Sequence, residues 1–82
     1  MSGELKLLIV SPFGTLAETE ADYVSLCLID GSMGVMRGHA PVLARLGAGE
    51  IMYRLGSEEK RVPVKGGAAE IKGNVITVLV DV

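Results

Sequence analysis

Tryptophan is missing from this 82-residue chain, and one phenylalanine and two tyrosines are its only aromatic side chains. The core must therefore be aliphatic. Cys27 stands alone, which rules out an intrachain disulfide and a multi-cysteine metal site and fits a reducing compartment. His39 is likewise the single histidine and has no carboxylate or thiol beside it in a metal-ligand pattern. Eight basic residues face ten acidic ones, and no basic stripe interleaved with aromatics exists, which argues against nucleic-acid recognition. No apolar run approaches the roughly 20 residues that span a bilayer. The opening stretch Met1 to Lys6 carries Glu4 and Lys6 and lacks the basic and apolar regions of a secretory signal. No direct membrane insertion is expected, so any work at a membrane requires another protein to hold the chain there. The serine-elbow, zinc-helix, phosphate-loop and dinucleotide fingerprints are also absent, so no cofactor or small-molecule substrate is expected.

What remains is unusually apolar. Hydrophobic residues make up 49% of the chain and the mean hydropathy is +0.42. A chain of this size forms one domain, residues 1–82, and buries only about 60–65% of its extended surface. Surplus apolar surface in a small domain points toward a partner.

The apolar residues fall into short runs broken by glycine-rich turns. Leu5 to Val10 reads as a strand, Ser11-Pro12-Phe13-Gly14 as a turn, and Thr15 to Glu18 as a second strand. Ala21 to Ile29 alternates, with Val24, Leu26 and Leu28 on one face and Tyr23, Ser25, Cys27 and Ile29 on the other. Val42 to Leu46, Glu50 to Leu55, Lys60 to Val64, Ala68 to Ile71 and Val75 to Val82 follow, with Pro63 marking an edge or a bulge. Short strands at this spacing, with nowhere to place a long helix, predict an all-β fold. The expected architecture is a small antiparallel β-sandwich of about eight to ten strands.

One stretch departs from plain scaffold: Gly31-Ser32-Met33-Gly34-Val35-Met36-Arg37-Gly38-His39-Ala40-Pro41. Glycine permits positive φ or close approach, proline fixes φ, and Ala40 before Pro41 is driven to an extended conformation. The segment reads as a shaped surface loop enclosing a short strand. His39 within it is a loop-ordering hydrogen bonder or a partner contact. A catalytic pair with Cys27 has no support, because Cys27 lies mid-strand and His39 in a loop. No catalytic and no metal residue is assigned.

The same stretch, continued through Val42-Leu43, resembles the G-x-x-G-[IV]-x-P-G-H-A-P-[LI]-[LI] segment of the epsilon subunit of F-type ATP synthase. Leu5-Lys6-Leu7-Leu8-Ile9-Val10-Ser11-Pro12 is similar to that family's opening strand. Val64-Lys65-Gly66-Gly67-Ala68-Ala69-Glu70-Ile71 resembles its S-G-G-x-x-E-[VI] hairpin, and Asn74-Val75-Ile76-Thr77-Val78-Leu79-Val80-Asp81 its closing strand. These ordered matches cover nearly the whole chain.

The resemblance implies a β-sandwich and a non-catalytic place in the rotor's central stalk, with the gamma subunit and the c-ring as partners. It implies a peripheral position on the cytoplasmic face of an energy-transducing membrane. By the same resemblance, Gly38, His39, Ala40 and Pro41 lie against gamma, while the turn Gly31, Ser32 and Met33 meets the c-ring. Ile29, Met33, Val35 and Met36 are candidates for adhesive outer-face residues or for packing.

Departures from the family pattern are specific. Arg37 stands where a proline is usual, and Ser32 where an acidic residue is frequent. Lys65 replaces the serine of the hairpin, and Ala68 and Ala69 replace bulkier residues. Family members usually continue into two C-terminal helices that carry regulatory inhibition and, in some, ATP binding. Neither property is assigned here, where the sequence stops at Val82, as a natural end or as a boundary. Two other readings stay open: a biotin or lipoate carrier using Lys65 or Lys72, without the usual Met-Lys-Met or Asp-Lys-Ala setting, and a small ligand-binding or enzymatic barrel around His39.

Overall fold

The computed structural model describes residues 4–82, so the first three residues of the N-terminal stretch read above lie outside it. Nine strands follow in order: β1 Leu5–Ser11, β2 Gly14–Ala21, β3 Tyr23–Leu28, β4 Gly31–Val35, β5 Val42–Leu46, β6 Gly49–Leu55, β7 Glu58–Val64, β8 Gly66–Lys72 and β9 Val75–Asp81. The all-β expectation holds.

Hydrogen bonding runs β2-β1-β9-β8-β5-β3-β6-β7, with β4 on the free side of β3. The link between β5 and β3 is a single residue pair, Leu28 opposite Leu46. The sheet folds over there into two layers, β2-β1-β9-β8-β5 and β4-β3-β6-β7, and β2 comes back against β6.

Period-2 alternation explains which side chains meet inside. Leu5, Leu7 and Ile9 of β1, Ala69 and Ile71 of β8, and Ile76, Val78 and Val80 of β9 face inward from one layer. Val24 and Leu26 of β3, Val35 of β4, Ile51 of β6 and Val64 of β7 meet them from the other. Each fully buried aliphatic side chain contributes about 1.5–3 kcal/mol of transfer free energy. The predicted Val24/Leu26/Leu28 face is the inward one: the first two are buried completely and Leu28 packs against the core.

Several details differ from the sequence-based expectation. One pairing is parallel, between β1 and β9, in an otherwise antiparallel ladder. The first and last strands share no connection, so nothing forces them to run oppositely. Strand β2 is longer than Thr15 to Glu18, because its polar residues pair along the whole of β1 across a bulge at Ile9/Val10. Val35, a candidate for an adhesive outer position, is completely buried, and Met33 packs against the core.

Edge strand β7 pairs only with β6. Pro63 sits on it opposite Glu50, and Arg61 reaches Glu59 at 2.7 Å and Glu50 at 3.5 Å. Pro63, read as an edge or a bulge, thus falls on an edge, where proline and charge oppose unwanted strand addition.

Candidate partner-binding surface

Strand β4 holds Gly31, Ser32 and Met33, and Gly38, His39, Ala40 and Pro41 follow in the loop beyond its end at Val35. The strand pairs with β3 from Leu28/Gly31 to Val24/Val35, so Ile29 and Asp30 form the two-residue connection before it. Gly31, Ser32 and Met33 therefore lie on the strand and not in the turn, which is a correction. Cross-strand pairing with Leu28, Cys27 and Leu26 takes them into the sheet. Gly31 and Ser32 are exposed, and exposed Ile29 beside them leads the turn. The end of β3 is anchored from β5, by the Ile29 amide donating to the Arg45 carbonyl at 3.2 Å and the Gly47 amide to the Cys27 carbonyl at 2.9 Å.

Beyond Val35 the chain leaves the sheet through Met36–Pro41. The His39 amide donates to the Met36 carbonyl at 3.2 Å, and Gly38 has φ 85°. A positive φ at the third residue of such a turn is the type II pattern, which requires glycine there and favours proline one position earlier. Arg37 fills that earlier position. The guanidinium reaches the Glu4 carboxylate at 3.4 Å, with both side chains well exposed. Such a pair contributes at most about 1 kcal/mol.

His39 Nδ1 donates to the Ala40 carbonyl at 2.7 Å. Holding the proton on Nδ1 leaves Nε2 of the neutral ring free to accept from outside. His39 is half-buried, while Gly38, Ala40 and Pro41 are exposed. The histidine thus orders its own loop and still offers a polar edge. Cys27 lies on β3 with Sγ 3.5 Å from the Gly47 carbonyl, so nothing couples it to His39. Among the described residues, no three His, Cys, Asp or Glu side chains gather to hold a metal, and no helix is long and apolar enough to cross a membrane.

The sequence reading missed an apolar outer face next to this loop. Pro41 leads into β5, where Leu43 is 78% exposed, and Leu79 on β9 is 58% exposed. Register places Leu79 opposite Ala68 on one side and Val10 on the other, and Leu43 lies on the same face opposite Glu70. The signal was present in Val75 to Val82, where Val75 and Leu79 share the outer face with Thr77 and Asp81. A strand with one wet face would alternate. Phe13, 88% exposed, projects from the β1–β2 turn, where Ser11 Oγ accepts from the Phe13 amide at 3.1 Å and donates to the Gly14 carbonyl at 3.2 Å.

Comparison with known proteins gives this arrangement a family. The model of the ATP synthase delta/epsilon chain β-sandwich domain matches residues 4–82. The ATP synthase epsilon chain of Symbiobacterium thermophilum is 42% identical over 79 residues, covering 95% of this chain and 57% of the relative. That of Rhodopirellula baltica is 39% identical over 75 residues, covering 92% and 59%. The chain thus spans less than two thirds of the length of these relatives.

Two solved assemblies share the fold. A chain of the Euglena gracilis mitochondrial ATP synthase OSCP/F1/c-ring structure superposes with a TM-score of 0.86 at 18% identity, covering 93% of this chain and 49% of that one. A chain of the Tetrahymena thermophila mitochondrial ATP synthase central stalk/c-ring structure gives 0.80 at 17%, covering 96% and 64%. Nine strands in this order, closed around an aliphatic core and matched along their whole length, make the chain a member of the ATP synthase delta/epsilon β-sandwich family.

Proposed function

We propose that residues 1–82 act as one rigid, non-catalytic domain in the central stalk of the F-type ATP synthase rotor, coupling the gamma subunit to the c-ring. The names of the relatives, ATP synthase epsilon chain, support this reading, and so does the central stalk/c-ring origin of one structural neighbour. In it, Gly38, His39, Ala40 and Pro41 contact gamma, with the Leu43–Leu79 face extending that surface. Gly31, Ser32 and Met33, with exposed Ile29 beside them, meet the c-ring. The domain sits peripherally on the cytoplasmic face of the membrane.

The observation that carries the proposal is the placement of these two segments on one strand and in the loop beyond its end. From Gly31 to Val35, β4 spans about 13 Å at roughly 3.3 Å per residue. It is paired throughout with β3 and anchored by Val35 in the core. Force applied at one end reaches the other through a close-packed body that resists shear. Ser32, neutral where the family often has an acid, offers the c-ring an uncharged hydrogen bond, which is weaker than a charge-assisted one. Lys65 follows β7 with its amide bound to the Asp81 carbonyl at 2.7 Å, away from any hairpin tip, which disfavours Lys65 as a carrier lysine; Lys72 does adjoin the β8–β9 turn but lacks the Met-Lys-Met or Asp-Lys-Ala setting.

Co-purification with the gamma subunit of the same organism tests the proposal. The intact chain should form a stable complex, and His39→Ala should fold normally while weakening it. A well-folded chain that forms no complex, or an affinity unchanged by His39→Ala and by wider disruption of 38–41, would overturn the assignment of the loop.

A further inference from the structure

Asn74 joins the Met36–Pro41 loop to the sandwich. It is the second residue of the Gly73–Asn74 connection between β8 and β9, far from the loop in sequence. Its main-chain carbonyl accepts from the Lys6 amide at 2.8 Å, tying the turn to the start of β1. Its side-chain Oδ1 accepts from the Gly38 amide at 3.1 Å. That amide belongs to the residue whose positive φ defines the loop. The Arg37–Glu4 pair runs from the loop to the same end of β1.

We infer that Asn74 is a positioning residue: its carboxamide holds Gly38 in the conformation in which His39, Ala40 and Pro41 are presented to the partner. The inference deepens the proposed gamma contact and rests on that reading for its functional consequence. The chemistry is specific to a short side chain with an acceptor oxygen. Alanine at this position removes the acceptor while leaving the main-chain carbonyl, and so the bond to Lys6, in place. Aspartate retains the acceptor at nearly the same position.

The test is amide hydrogen exchange of the 82-residue chain by NMR, with gamma affinity measured in parallel. In Asn74→Ala the Gly38 amide should exchange about 2- to 10-fold faster, as expected for loss of one hydrogen bond, while Ile76 and Val78 amides in the core keep their protection. Gamma affinity should fall by a similar factor. Asn74→Asp should restore both. Unchanged Gly38 exchange in Asn74→Ala, or an Asn74→Asp variant that behaves like the alanine one, overturns the inference. So does faster Gly38 exchange that leaves gamma affinity intact while His39→Ala lowers it. If no loop substitution alters gamma affinity, the gamma contact itself has failed, and Gly38 exchange alone decides whether Asn74 sets the shape of the loop.

Discussion

The ring of Tyr23 on β3 lies over Gly34 on β4, close enough that a Cβ on Gly34 would meet the ring carbons at 3.0 Å. The other side of the relationship is Arg54, whose guanidinium carbon sits 5.1 Å from the ring centroid. Glycine inside a strand ordinarily weakens it, and an aromatic laid across it restores the lost packing. Strand β4, which holds one proposed contact and leads into the loop that holds the other, owes part of its order to this pair.

Gly34→Ala should therefore push the hydroxyl end of the tyrosine aside, with a coupling of about 0.5–1 kcal/mol between the two positions. In a Tyr23→Ser background the same substitution should cost less. A double-mutant cycle by urea denaturation measures the difference, and equal costs in both backgrounds would mean that the ring does not support β4.

Adjacent loop positions should respond with opposite signs. Arg37→Pro places proline where a type II turn favours it and should stabilise by about 0.4–1 kcal/mol through the unfolded chain, less the small contribution of the exposed Arg37–Glu4 pair, so in a Glu4→Gln background the gain should appear in full. Gly38→Val forces a branched side chain to φ 85° and should cost about 1–3 kcal/mol, although no neighbour crowds the position. Thermal melts of the two variants check both signs.

Gly67 tolerates no side chain for a different reason. Its Cβ would collide with the Leu79 carbonyl and approach Val80 Cα at 3.0 Å, at a φ of 138°. The obstacle is backbone in the central β8–β9 ladder and cannot rotate away. Gly67→Ala should lose at least about 2 kcal/mol, combining overpacking with strain, and should lower the urea midpoint well below that of the parent.

Inner and outer faces of the first layer should separate cleanly. Ile9→Ala removes a fully buried side chain and should cost about 2–5 kcal/mol. Leu43→Ser, on the exposed face, should stay within about 0.5 kcal/mol of the parent yet weaken gamma binding. A large stability loss in Leu43→Ser would show that this face packs within the domain.

Local chemistry was enough to indicate most of the strands and the aliphatic core, to narrow Pro63 to an edge or a bulge, and to mark Gly38 as a residue able to take a positive φ. Alternation in Ala21 to Ile29 identified the buried Val24 and Leu26, and the family motifs pointed to the loop. These properties depend on residues near one another in the chain. Tertiary structure alone decided the parallel pairing of β1 with β9, because partner choice between distant strands leaves no local periodicity. It also drew Val35 into the core and Gly31–Met33 into a strand, since both follow from pairing with β3. The bond from Asn74 to Gly38 belongs to the same class. A turn residue and a loop glycine 36 positions apart meet only when the sandwich closes, and no pattern along the chain announces it.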